Sequence, residues 1–106
     1  MTEDSKDIIE QDLNKAINFL GQNKFSEAES ICNEIIKEKN NSDAYHILSS
    51  IKLYKQEFNK SIEFVSKSIE INDKNPGYYV TLGCAYSASK NYRNSIKAFK
   101  KAISLN

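Results

Sequence analysis

The sequence has no tryptophan, one proline, three glycines, two cysteines and one histidine. No glycine falls between Gly21 and Gly77, and Pro76 is the only proline, so few residues interrupt a helix. Long helices with short connections follow, and a turn-rich all-β chain does not. Without a glycine-rich segment there is no loop to cradle a phosphate. Cys32 and Cys84 share no CxxC spacing, so neither a metal site nor a redox pair has a motif behind it, and both read as small helical thiols. No apolar run approaches the roughly 20 residues of a membrane span. The opening Met1-Thr-Glu-Asp-Ser-Lys-Asp lacks the basic and apolar regions of a signal peptide. A cytoplasmic location is the expectation, with no cofactor, no metal and no membrane association.

What is present suits a folded chain. Apolar residues make up 40% and charged residues 27%, well above the apolar content of disordered sequences. With 106 residues there is material for one core. The net charge is only +1, but it is spread unevenly. Residues 1–40 hold nine acids and five bases, whereas residues 74–106 hold six bases and no acid. Such a gradient steers acidic partners or favours head-to-tail contact between copies.

The sequence repeats itself. Tyr45, Leu48, Phe58, Ser61, Ile62, Val65, Ile69 and Asn72 return 34 residues later as Tyr79, Leu82, Tyr92, Ser95, Ile96, Phe99, Ile103 and Asn106. At an offset of 33, Phe25, Ala28, Cys32 and Ile36 anticipate Phe58, Ser61, Val65 and Ile69, which makes three units, near 9–41, 42–75 and 76–106. Apolar residues spaced three and four apart, such as Ile62, Val65 and Ile69, form one stripe of a helix. The spacing predicts helices near 4–21, 25–38, 42–55, 59–72, 76–89 and 93–105, paired as antiparallel hairpins. Ser42-Asp43 and Pro76 mark two of the starts. The expected core includes Leu48, Ile62, Val65, Leu82, Ala85, Ile96 and Phe99.

The pattern Tyr79-x-x-Leu82-Gly83-x-x-Tyr86, then Tyr92-x-x-Ser95 and Phe99-x-x-Ala102, resembles the tetratricopeptide repeat family over essentially the whole chain. The resemblance implies an all-α superhelix of three antiparallel helix hairpins. In it, Gly83, Ser49 and Ala16 cross closely with Ser95, Ser61 and Ala28, and Phe25, Phe58 and Tyr92 plug the hairpin turns. Three positions depart from the pattern: Lys52 stands where the third unit has Tyr86, Asp73 where the family commonly has proline, and Asp12 at an aromatic position. No closing helix follows the third unit, so the chain reads either as a piece of a longer protein or as one whose C-terminal end is covered, and self-association through that end is expected.

Catalysis needs a nucleophile, a base and an orienting group within reach. His46 and Cys84 alone do not supply them, so no catalytic residue is assigned and the chain is not read as an enzyme. The resemblance implies protein binding in a concave groove. Its lining corresponds to Leu13 and Ile17, to His46, Ser50, Leu53 and Tyr54, and to Val80, Cys84, Ser87 and Ala88. Of these, His46, Ser50, Leu53, Tyr54, Val80, Cys84 and Ser87 are the candidate partner contacts. The lining lacks the lysines, arginine and asparagines with which co-chaperone members grip a chaperone's terminal carboxylate, so an amphipathic helix or extended apolar segment suits it better. Two alternatives stand beside this reading. One is a scaffold or assembly module at the front of a larger enzyme or self-associating complex. The other is nucleic-acid binding through Lys90, Arg93, Lys97, Lys100 and Lys101, a weaker idea because the net charge is small and Tyr92 and Phe99 are expected in the core.

Overall fold

The computed structural model describes residues 5–106, and every regular element in that span is an α-helix. The helices are α1 (Ser5–Gly21), α2 (Phe25–Glu38), α3 (Ser42–Tyr54), α4 (Phe58–Ile71), α5 (Pro76–Ala88) and α6 (Tyr92–Leu105). The six expected helices are present with ends shifted by at most a residue; the expected start at residue 4 lies outside the described residues.

Local chemistry sets the ends. The side chain of Asn41 accepts a hydrogen bond from the Ala44 N–H at 2.9 Å, and that of Asn75 accepts from the Gly77 N–H at 2.8 Å, with Pro76 following in the first turn. The cap of α3 is therefore Asn41 rather than Ser42 or Asp43, and the Ser42 carbonyl instead accepts the Ser68 hydroxyl at 2.7 Å. Each hairpin turns at a residue in left-handed backbone: Asn23 (φ 61°), Gln56 (φ 63°) and Lys90 (φ 67°) occupy the same place in the three units. The next N–H then closes each turn, Lys24 to the Phe19 carbonyl, Glu57 to Lys52 and Asn91 to Tyr86, all at 2.8 Å. These are C-capping bonds that satisfy orphan carbonyls at a helix end.

Small residues hold the two helices of each hairpin close, as the repeat implied. Ala16 and Ala28 are fully buried at the first crossing. At the second, the Ser49 hydroxyl donates to the Ser61 carbonyl at 2.7 Å. At the third, the Ser95 hydroxyl donates to the Gly83 carbonyl at 2.9 Å. Among the described residues no buried side-chain nitrogen or oxygen lacks a partner, so these serines cost no unmet desolvation.

The hairpins stack into an array about 51 Å long. Consecutive helices pack in order, and the first helices also touch one another, α1 on α3 and α3 on α5, while no contact joins α2 to α4 or α4 to α6. The first helices therefore line the crowded, concave side and the second helices splay outward. A cluster of buried residues spans the first two hairpins, where Ala16, Ala28, Cys32, Ile35, Ala44, Ile47, Leu48 and Ile51 are buried.

Of the expected core, Leu48, Val65 and Ala85 are fully buried and Ile62, Leu82 and Phe99 half-buried, but Ile96 is 54% exposed. Tyr92, expected to plug its turn, is 59% exposed, and Ile103 is 73% exposed. The reason is positional. Their counterparts on α4 lie under α5, and no described helix stands beyond α6.

Candidate functional site: the concave wall

Each first helix presents one apolar side chain to the open side of the array: Ile17 of α1 (52% exposed), Tyr54 of α3 (67%) and Val80 of α5 (45%). Cys84 and Ala88 are exposed beside them, Ser50, Leu53 and Ser87 are half-buried, and Leu13 sinks toward the core. None of these carries a formal charge. The result is an uncharged wall on which serines stand among separated apolar side chains. A separate indentation of about 760 Å³ on α2, lined by Ser26, Glu29, Ser30, Asn33, Glu34, Ile36 and Lys37, carries charged side chains. It gathers no convergent set of groups.

The family model for the tetratricopeptide repeat matches residues 42–75 and 76–106, the second and third hairpins. The chain belongs to the tetratricopeptide repeat (TPR) family. A TPR repeat-containing protein of Methanocaldococcus jannaschii is 30% identical over 97 residues, which is 91% of this chain and 17% of that protein. The chain thus spans about a sixth of the length of this relative. Among solved structures, the second TPR domain of Spaghetti (RPAP3), bound to the HSP90 peptide SRMEEVD, superposes with a TM-score of 0.86 at 12% identity, covering 92% of this chain and 86% of that one. The TPR domain of Arabidopsis OM64 gives 0.86 at 21% identity, covering 94% and 84%. MamA gives 0.84 at 21% identity, covering 92% and 58%. At such identities the likeness is one of fold. TPR arrays serve broadly as protein-interaction modules, and no described helix is long and apolar enough to cross a membrane.

Within this TPR array the predicted wall residues divide into two groups. Tyr54, Val80 and Cys84 are open to solvent. His46 is held from within: its Nε2 is hydrogen-bonded to Thr81 Oγ1 at 2.8 Å, and its ring packs tilted on Tyr78 with centroids 4.9 Å apart. Burial pushes the imidazole pKa below its ordinary value, against a smaller opposing pull from Asp43. The side chain acts as a strut between α3 and α5. Tyr54 is also supported, its ring stacked on Phe25 of the preceding hairpin at 5.5 Å, which presents its other face outward.

Tyr78 had no signal in the repeat, because the equivalent position in the second unit is Ala44. It is 1% exposed, and its hydroxyl donates to Asp43 Oδ1 at 2.5 Å and lies 3.0 Å from Ser42 Oγ. Together Tyr78, Thr81, His46 and Asp43 fix the angle between the second and third hairpins beneath the wall.

One of the three departures from the family pattern finds its reason in a contact. Lys52, in the place of a tyrosine, pairs with Glu29 at 3.0 Å, and Lys55 approaches the same carboxylate at 3.6 Å, so an ion cluster bridges α2 and α3. The Lys52 hydrogen bond holds the Glu29 carboxyl below its usual range although burial opposes it. The Asp73 backbone carbonyl accepts the Tyr79 hydroxyl at 3.1 Å, a bond that a proline there would also allow, so it does not explain the aspartate. Burial, with Glu29 nearby, pushes the Cys32 thiol up to about 12, which leaves it inert as a nucleophile. On α6, Arg93, Lys97, Lys100 and Lys101 are all exposed, and Tyr92 is exposed among them rather than claimed by the core.

Proposed function

We propose that this TPR array holds a partner peptide or helix of a protein in its concave wall. Exposure of Ile17, Tyr54 and Val80, one from each first helix on an uncharged wall, carries the reading. Exposed apolar side chains on successive first helices, each at a different level along its helix, suit an amphipathic helix or an extended apolar segment laid obliquely across the three hairpins. Leu53 adds apolar surface, Ser50 and Ser87 are hydrogen-bonding groups within it, and Cys84 lies between Val80 and Ser87. His46 sets the α3–α5 angle and so shapes the wall. The RPAP3 neighbour binds a peptide with an acidic end. The wall described here lacks a lysine or arginine to meet such an end, which supports an apolar guest over a carboxylate-gripping role. We read residues 1–106 as one such domain, acting as a cytoplasmic scaffold without catalytic chemistry of its own.

Exchanging the two most prominent wall contacts tests this. Tyr54→Ala with Val80→Asp should weaken binding of an isolated partner by at least about 30-fold, the loss typical of removing an interface hot spot. Circular dichroism should remain helical, because both side chains stand in solvent. A folded double variant that retains full affinity refutes the wall as the site.

A further inference from the structure

The second and third hairpins differ in the groove where the two helices of a hairpin meet. In the second, Phe64 of α4 occupies it: the ring stacks on Tyr45 of α3 with centroids 6.3 Å apart, and the Lys67 ammonium lies 5.9 Å from the centre of the same Tyr45 ring. Lys52, on the same stripe of α3 as Tyr45, reaches back to Glu29 of α2. The groove therefore lies on the side of the preceding hairpin, not on the outer face of the second helix. In the first hairpin Ile31 holds the place of Phe64, and both are half-buried against the core cluster. The third hairpin keeps the tyrosine as Tyr79 and the lysine as Lys101, but has Ala98 where the other two have a bulky apolar side chain.

The consequence is an open, mostly apolar cleft of about 250 Å³ in which Tyr79, Leu82 and Tyr86 of α5 face Lys97, Ala98 and Lys101 of α6. Tyr79 and Ala98 are buried, Leu82 and Tyr86 half-buried, and the two lysines exposed. Size and internal precedent say what fits. The cleft is smaller than the roughly 300 to 1,000 Å³ of small-molecule sites, and the second hairpin fills its own groove with a phenyl ring. A ring set against Tyr79 or Tyr86 gains stacking beyond the area it buries. Charge adds the second requirement. Lys97 stands where the second hairpin has Glu63, Lys101 follows one turn on, and among the described residues neither is in a salt bridge. A carboxylate beside the incoming ring would meet both. A second copy does not offer that combination, because its exposed aromatics are Tyr54, between Lys52 and Lys55, and Tyr92, between Lys90 and Arg93.

We infer that the α5–α6 cleft is a docking site for an acidic peptide segment of a protein partner, with one aromatic side chain anchored in the place of Phe64 and its neighbouring carboxylates on Lys97 and Lys101. The cleft shares no residue with the concave wall, and the two stand or fall independently.

Three fluorescein-labelled peptides test this against the 106-residue chain in fluorescence polarisation at low salt. They are Gly-Asp-Glu-Phe-Glu-Asp-Gly, the same peptide with alanine in place of phenylalanine, and the same peptide with its four acids replaced by lysine. The first should bind at least about tenfold more tightly than either of the others. Ala98→Phe, which copies the second hairpin, should abolish the preference for phenylalanine over alanine. Lys97→Glu with Lys101→Glu should remove binding while leaving circular dichroism unchanged, since both side chains are exposed. Tyr54→Ala with Val80→Asp should leave binding intact, which separates the cleft from the wall. Equal affinity for the phenylalanine and alanine peptides, or no binding of the first at up to about 1 mM, overturns the inference. So does binding that survives the lysine exchanges. Displacement of the first peptide by an equal concentration of a single-stranded oligonucleotide also overturns it, because the cleft would then be a base-stacking site.

Discussion

The second and third hairpins are built on the same pattern 34 residues apart, yet they bury it differently. Phe58, Ile62 and Ile69 are half-buried, whereas Tyr92, Ile96 and Ile103 stand mostly in solvent. Their interiors differ too. Leu48, Ile51 and Val65 fill the second hairpin, while the third relies on Tyr78, Tyr79 and the small residues Ala85, Ala98 and Ala102. In a stacked array each unit contributes its own stability plus an interface with each neighbour. A repeat thus encodes half of an interface, and burial at its outer face is decided by whatever stands next to it. Among the described residues the third hairpin has one such interface where the second has two.

Truncating matched residues is the sharpest way to test that difference. Leu48→Ala removes a fully buried side chain and should cost roughly 3 to 5 kcal/mol in urea unfolding. Ile62→Ala, half-buried beside α5, should fall between that value and Ile96→Ala, which should stay within about 0.5 kcal/mol because its side chain is already wet. A loss at Ile96 as large as that at Ile62 would mean that α6 is covered in solution and that the two hairpins are equivalent after all.

Most of the fold could be read from the sequence, because a 34-residue period and apolar residues three and four apart constrain backbone strongly. Helix ends, crossing pairs and the fully buried Leu48, Val65 and Ala85 follow from that pattern. Burial at α6 did not follow, since Ile96 carries the same signal as Ile62 and the two differ only in that no described helix stands against α6 on that face. The wall was partly legible. Tyr54 and Val80 are open as their positions imply, but the engagement of His46 depends on Thr81 and Tyr78, and neither occupies a position that repeats. Pairings between non-repeating side chains of different hairpins leave no mark in periodicity. The αL turn at Asn23, Gln56 and Lys90 was equally silent, because only Asn belongs to the residue types that favour that conformation.

The crossings of the two hairpins sharpen the comparison at a smaller scale. An ideal Cβ on Gly83 would lie 2.6 to 2.8 Å from the Phe99 ring. The second hairpin tolerates a side chain at the equivalent Ser49 because Val65 stands where the third has Phe99. Gly83→Ala should therefore overpack the third crossing, a strain of roughly 1 to 3 kcal/mol. About 1 kcal/mol of better helix propensity offsets part of it. Adding Phe99→Val, the partner used in the second hairpin, should recover part of the loss, with a coupling of about 1 kcal/mol in a double-mutant cycle. Strict additivity would show that the ring moves aside freely and that the crossings do not differ in packing.

The hairpin turns give the smallest effect and the finest comparison, because the same backbone conformation is filled by three different residues. Left-handed backbone costs a residue with a Cβ about 1 to 2 kcal/mol, from which the larger unfolded-state entropy of glycine takes back roughly 0.5 to 1 kcal/mol. Lys90→Gly and Gln56→Gly should each stabilise by up to about 1 kcal/mol, since both sit at positive φ. Asn23→Gly should change little, because asparagine tolerates that region better than lysine or glutamine. The closing N–H bonds of all three turns are backbone to backbone and survive the change. The order Lys90 and Gln56 above Asn23, read from thermal midpoints at one protein concentration, is the expected outcome. A gain at Asn23 equal to the other two would show that the turns are strained alike and that asparagine confers no advantage in the first hairpin.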